Sequence, residues 1–122
     1  MASGCTSQQQ QQKVVYEGDV GGSGVNDFYI PVNASSVTVE ISNVKTIQDP
    51  NFTTQIHELE IRALNVTGQN GQSAGNYIND IVDDKSFDNL TDGYNSTVAL
   101  NGDIKSIAIL STDVKLHIKI LA

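Results

Sequence analysis

The last stretch of the chain constrains its fold class more tightly than any other feature. From Val114 to Leu121 the residues alternate without a break. Val114, Leu116, Ile118 and Ile120 fall on one side, and Lys115, His117 and Lys119 on the other. Successive side chains of a strand point to opposite faces, so a period of two makes a half-buried strand, whereas a helix would scatter the same apolar residues around its axis. The alternation recurs over Val37, Val39 and Ile41. It recurs again over Thr54–Val66, where His57, Leu59, Ile61 and Ala63 alternate with Glu58, Glu60 and Arg62. Glu, Leu and Arg favour helix intrinsically, but their spacing here does not, and a central strand is expected.

The remaining segments are read from their punctuation. Val14–Tyr16 is a short first strand that stops at Gly18-Asp19, and Gly21-Gly22-Ser23-Gly24 is a flexible turn. A phosphate cradle would need a lysine and a following helix, and both are missing. Phe28, Ile30 and Val32 form a strand that Pro31 confines to an edge or an end. Asp49-Pro50-Asn51 marks a turn and Gly68–Gly75 a loop. Over Asn76–Asp84 the apolar residues Tyr77, Ile78, Ile81 and Val82 fall at helical spacing, which predicts one or two helical turns on a crossover. Phe87 and Leu90 then plug that crossover onto the core. Asp92-Gly93 and Asn101-Gly102 are tight-turn dipeptides that set Ser96–Leu100 apart from Ile104–Leu110. About seven strands result, at the spacing of an antiparallel sandwich. The expected fold is therefore all-β: an antiparallel β-sandwich, Ig-like or jelly-roll-like, with a long crossover loop holding a short helix. Opposite charges on exposed faces point to one neighbouring pair of strands, with Glu58 and Glu60 facing Lys115 and Lys119.

Residues 1–12 read as a flexible leash, because the glutamine run has no apolar face to bury. Residues 13–122 read as one domain, and 122 residues are enough for a single core. Cys5 is the only cysteine, so no internal disulfide supports that core. Ser3-Gly4-Cys5 resembles the end of a prokaryotic lipoprotein signal, the class in which a short box of small residues closes on the cysteine that becomes lipidated. Met1-Ala2 then resembles a start codon added where the signal was cut away. The resemblance covers those residues and the polar run Thr6–Gln12. It implies lipid attachment at Cys5 and a chain held at the membrane through its N-terminus.

Export is also read from five Asn-X-Ser/Thr triplets, beginning at Asn33, Asn51, Asn65, Asn89 and Asn95. Eleven asparagines in this composition would give roughly two by chance. An archaeal or eukaryotic secretory route would make them glycosylation candidates; an Asn/Thr-rich turn composition also produces such triplets unaided.

Chemistry-bearing residues are sparse. Asp80, Asp83, Asp84, Asp88 and Asp92 form an acidic cluster of the oxygen-rich kind that calcium accepts. Their spacing is not that of an EF-hand, and aspartates also cap turns and solubilise loops. No cofactor is expected, with calcium as the alternative. His57 lies on the expected inward face and His117 between two lysines, and neither has the companions of a zinc site or a triad. Sugar platforms need aromatic faces; the chain has no Trp, leaving Tyr29, Tyr77 and Tyr94 on or near loops. A net charge of −7 opposes binding to nucleic acid or anionic lipid. The resulting expectation is a non-enzymatic, extracytoplasmic module tethered at the membrane or cell surface. It would meet another surface protein, or itself, through a sheet edge or loops. The alternatives are a calcium-dependent carbohydrate-binding module and a small viral coat or appendage subunit.

Overall fold

A computed structural model describes residues 11–51 and 55–122. Strands β1 (Val14–Thr46), β2 (Glu58–Leu64), β3 (Ile81–Phe87) and β4 (Ser96–Leu121) form one four-stranded antiparallel sheet in the order β1-β4-β2-β3. Among the described residues the fold is all-β apart from a short 3-10 helix, Ala74–Asp80, that leads into β3.

Strands β1 and β4 make one long ribbon. Val14 lies opposite Leu121, and nearly the same register runs down to Ile41 opposite Ser96. The ribbon also curls back on itself, because Thr38–Thr46 pair with Leu121–Val114 along the other side of β4. The alternating tail of the chain is thus held between two parts of β1. Val114, Leu116, Ile118 and Ile120 are all buried, joined in the core by Val37, Val39, Ile41, Leu59, Ile61 and Ala63. The period-two readings of those three segments hold, and Leu90 is buried as the expected plug.

The curl depends on residues that were read as chain reversals. Gly21, Gly22 and Gly24 have φ of 92°, 147° and 76°, and the register shifts between Gly22 and Val25. A Cβ on Gly21 would run into the carbonyl oxygen of Val114, so only glycine lets the two backbones come this close. On β4, Gly102 (φ 140°) and Asp113 (φ 51°) bend the partner strand. The first strand therefore does not stop at Gly18-Asp19, Gly21–Gly24 is not a turn, and Asn101-Gly102 does not reverse the chain. The separately counted strands merge into four, because glycine and αL residues serve bulges as well as turns.

Other boundaries also move. Strand β2 begins at Glu58, later than the Thr54 start expected, and residues 52–54 lie outside the described residues. The expected helical turns are present in Ala74–Asp80, but Ile81–Asp84 belong to β3. Glu58 and Glu60 pair across to Thr112 and Leu110, so they do not face Lys115 and Lys119.

A second, smaller cluster buries Tyr29, Leu64 and Ala108 beneath Val66, Tyr77 and Ile81. The loop between β2 and the helix closes over it. Ser106, itself buried, donates to the Val66 carbonyl at 2.6 Å and accepts from the Gly68 amide at 3.0 Å.

Candidate functional site

Lys115, His117 and Lys119 lie on the outward face at the end of β4, and the register lines them up with β1 on both sides. Lys119 lies opposite Glu17 on one side and Glu40 on the other, with Thr97 beyond Glu40. His117 lies between Asp19 and Ser42. Glu17, Glu40, Ser42, Asn95, His117 and Lys119 line a shallow groove of about 380 Å³.

Asp19, His117 and Ser42 in one row have the composition of a hydrolytic triad, but the hydrogen bonds do not. His117 Nδ1 meets Asp19 Oδ1 at 2.9 Å, and Nε2 meets Glu17 Oε2, also at 2.9 Å. A neutral imidazole has one N–H; bonding carboxylates at both nitrogens requires the imidazolium. The bonds from Glu17 and then Asp19 hold the His117 pKa above its ordinary value, and the bond from His117 holds Glu17 below the usual carboxylate range. An imidazolium gripped at both nitrogens has no lone pair to take a proton from Ser42. The row is an ionic clamp between the two strands.

A carboxyl pair that the sequence reading passed over lies on β2 and β3. Glu60 is ion-paired with Arg62 at 2.8 Å, and a hydrogen bond with Glu60 raises the pKa of Asp84. The register placing Asp84 beside Arg62 is what brings them together, and no spacing in the sequence reports it.

The aspartates expected as calcium ligands are spread out. Asp92 Oδ1 accepts from the Thr46 amide and hydroxyl, and Asp83 from the amides of Asn101 and Asp84. Asp80 closes the helix, its carbonyl taking the Asn65 amide, and Asp88 is exposed. Among the described residues no group of three or more His, Cys, Asp or Glu stands together as a metal site. His57 is half-buried, with Nδ1 2.9 Å from the Asp113 carbonyl and Nε2 3.1 Å from Gln48 Nε2.

Asn33, Asn51, Asn65, Asn89 and Asn95 are all exposed, but so are Asn70, Asn76, Asn79 and Asn101, which lie in no such triplet. Exposure therefore does not single out the triplets. Cys5 lies outside the described residues. Gln12, expected to belong to the leash, bonds the Ser36 carbonyl and the Thr38 hydroxyl, and Lys13 pairs with Ala122.

The sheet edges differ sharply in how they are finished. Along Val25–Pro31 of β1, the Asn70 carboxamide accepts from the Tyr29 amide at 2.8 Å and donates to the Tyr29 carbonyl at 3.2 Å. Strand β3 carries Asp83, Asp84 and Lys85, and the first part of β1 carries Glu17 and Asp19. Ser96–Leu100 of β4 pairs with Ile41–Val37 on one side only among the described residues, and holds no charge, proline or glycine. Charges, bulges and covering loops are how β-proteins block edge pairing. This edge carries no charge of its own, and the next amide along it, that of Asn101, is taken by the Asp83 carboxylate of β3 at 3.0 Å.

No family model matches the chain, and neither a curated protein nor a solved structure matches it.

Proposed function

We propose that the chain is a non-enzymatic, extracytoplasmic β-sandwich of jelly-roll-like winding, tethered through a lipid on Cys5, that accepts an extended strand of another protein along Ser96–Leu100. The observation that carries this reading is the contrast between Ser96–Leu100, uncharged and paired on one side only among the described residues, and the three edges that carry charges or a capping side chain. Strand addition takes its affinity from main-chain hydrogen bonds and needs no deep pocket. The clamped His117 supports a non-enzymatic role, since it withdraws the one histidine that has a carboxylate and a hydroxyl in its row. Winding of the β1/β4 ribbon back on itself supports the two-layer form. The partner is another surface protein or a second copy; nucleic acid is disfavoured by the charge of −7.

The test uses the full chain in its native cell with a photo-crosslinking residue in place of Ala99, and Lys85 replaced likewise as the control edge. Covalent adducts from position 99 and few from position 85 are expected. Equal yields from both positions, or none from 99, overturn the reading. Cys5→Ser should move the chain from the membrane fraction to the soluble one; retention at the membrane overturns the tether.

A further inference from the structure

The side chain that caps the Val25–Pro31 edge is followed in the chain by glycine. Gln69-Asn70-Gly71-Gln72 is a tight turn, closed by the Gln72 amide on the Gln69 carbonyl at 3.1 Å. Gly71 takes the positive φ, 93°, of the second central position. Both flanks are tied down: the Gln69 amide donates to the Tyr77 hydroxyl, and the Gln72 carbonyl accepts from the Tyr29 hydroxyl. The Gly71 amide donates no hydrogen bond among the described residues. Gly71 is also exposed, and a Cβ there would meet nothing within 4 Å.

An asparagine followed by glycine loses its carboxamide nitrogen without an enzyme when the two groups can meet. Hydroxide takes the proton of the glycine amide, and the freed nitrogen attacks Cγ. The Cγ–Nδ2 bond breaks, and Nδ2 leaves as ammonia with a proton from water. Water then opens the cyclic imide at either carbonyl, giving aspartate or isoaspartate; nothing is oxidised or reduced. Two features of this turn favour the attack. The Tyr29 amide, 2.8 Å from Asn70 Oδ1, donates to the oxygen on which negative charge develops. No acidic residue lies between Val66 and Asn79 to oppose the amide anion. Asn101-Gly102 is the other Asn-Gly pair, and its surroundings are opposite. It lies within β4, its amide is on the Asp83 carboxylate at 3.0 Å, and Asp103 follows it.

We propose that Asn70 is a site of spontaneous modification, whose conversion to isoaspartate uncaps the Val25–Pro31 edge. In isoaspartate the backbone runs through Cγ and the free carboxylate sits directly on Cα, one carbon shorter than the carboxamide that reaches Tyr29. The Tyr29 amide and carbonyl both lose their partner. Aspartate, the other product, still accepts from the amide but has no hydrogen for the carbonyl that Nδ2 holds at 3.2 Å. A guarded edge thus becomes an open one as the protein ages.

The test ages the full, unglycosylated chain with Cys5→Ser in mildly alkaline buffer, beside the same chain unfolded in urea. Peptide mapping by mass spectrometry and enzymatic methylation of isoaspartate locate the change, and hydrogen exchange follows the Tyr29 amide. In the folded chain, isoaspartate is expected at position 70 ahead of any at position 101. Protection at Tyr29 is lost in proportion to it, while Ile61 stays protected. Gly71→Asn introduces a residue type that tolerates positive φ, slows the conversion and keeps Tyr29 protected; circular dichroism checks that it folds. Three results overturn the proposal: no conversion at position 70 in the time the unfolded chain takes, conversion at position 101 first, or full conversion at position 70 with Tyr29 still protected.

Discussion

The Asn70 carboxamide holds both backbone hydrogen-bonding groups of Tyr29, accepting from its amide at 2.8 Å and donating to its carbonyl at 3.2 Å. A side chain thereby does on this edge what a neighbouring strand would do. Replacing Asn70 by Ala leaves the Tyr29 amide and carbonyl without partners at a part-buried position, which costs about 1 kcal/mol. It also reopens a sheet edge. The expected outcome is faster hydrogen exchange at the Tyr29 amide and concentration-dependent aggregation that wild type lacks. Asn70→Asp keeps the acceptor and loses the donor, so it should protect the amide and still destabilise the fold. Unchanged exchange at Tyr29 in Asn70→Ala would show that the loop covers the edge without this side chain.

The clamp on His117 makes stability depend on pH in a direction set by its two partners. His117 has a folded pKa above its ordinary value of 6.5, so its contribution is fully present below that pH and is lost as pH rises through the raised value. Glu17 has a folded pKa below 4.5, so its contribution is present above that pH and is lost as pH falls through the lowered value. Between about pH 5 and 6.5 both hold, and the clamp is at full strength. Lys119 stands near Glu17 and reinforces its ionised form. Thermal unfolding followed across pH 4–9 should show wild type losing stability above neutrality, with His117→Gln flat over that range. A wild-type profile that matches the variant above pH 6.5 would mean the two 2.9 Å contacts do not persist in solution.

How much of this was legible depends on where the information resides. Alternation located the inward faces of Val37–Ile41, Leu59–Ala63 and Val114–Ile120, since burial acts on every second residue of a strand whatever it pairs with. Register was not legible. Lys119 was matched to Glu58 and Glu60 by charge alone, whereas its neighbours are Glu17 and Glu40, from segments distant in the chain. The His117 clamp depends on the same register and was equally hidden. Strand β3 was missed for a different reason: its Asp83, Asp84 and Lys85 are the charges of a guarded edge, and they look like a polar crossover when read alone.

Ser106 is a buried hydroxyl that ties the crossover loop to the sheet. It bonds the Val66 carbonyl and the Gly68 amide and is fully buried. Ser106→Ala leaves both loop groups unsatisfied, and a loss of about 1–3 kcal/mol is expected. Tyr29, stacked edge-on to Tyr77 at 5.4 Å beneath that loop, has its pKa raised chiefly by burial. Loosening the loop should therefore lower the alkaline titration midpoint of Tyr29 toward that of an exposed tyrosine, as read by ultraviolet absorbance. A Ser106→Ala chain with wild-type stability and an unmoved tyrosine titration would show the loop anchored elsewhere.

The bend in β1 offers a direct test of whether the curled ribbon needs glycine or only a permissive backbone. Gly21 and Gly24 both have positive φ, 92° and 76°, but their surroundings differ. A Cβ at Gly21 meets the Val114 carbonyl oxygen, part of a backbone that the core residues on either side hold in place, while a Cβ at Gly24 meets nothing within 4 Å. Gly24→Asn introduces a residue type that tolerates the left-handed region and should change stability by less than about 1 kcal/mol. Gly21→Ala suffers both the unfavourable φ and the collision. A loss of about 2 kcal/mol or more is expected, lowering the melting temperature by roughly 8 °C or more in a chain of this size. The β1/β4 register should loosen first, seen as faster exchange at Val20 and Val114 than at Ile61. Equal tolerance at the two positions would mean the close approach of Gly21 to Val114 is not what shapes the bend, and the curl of the ribbon would then have to come from the Gly102 and Asp113 bends on β4.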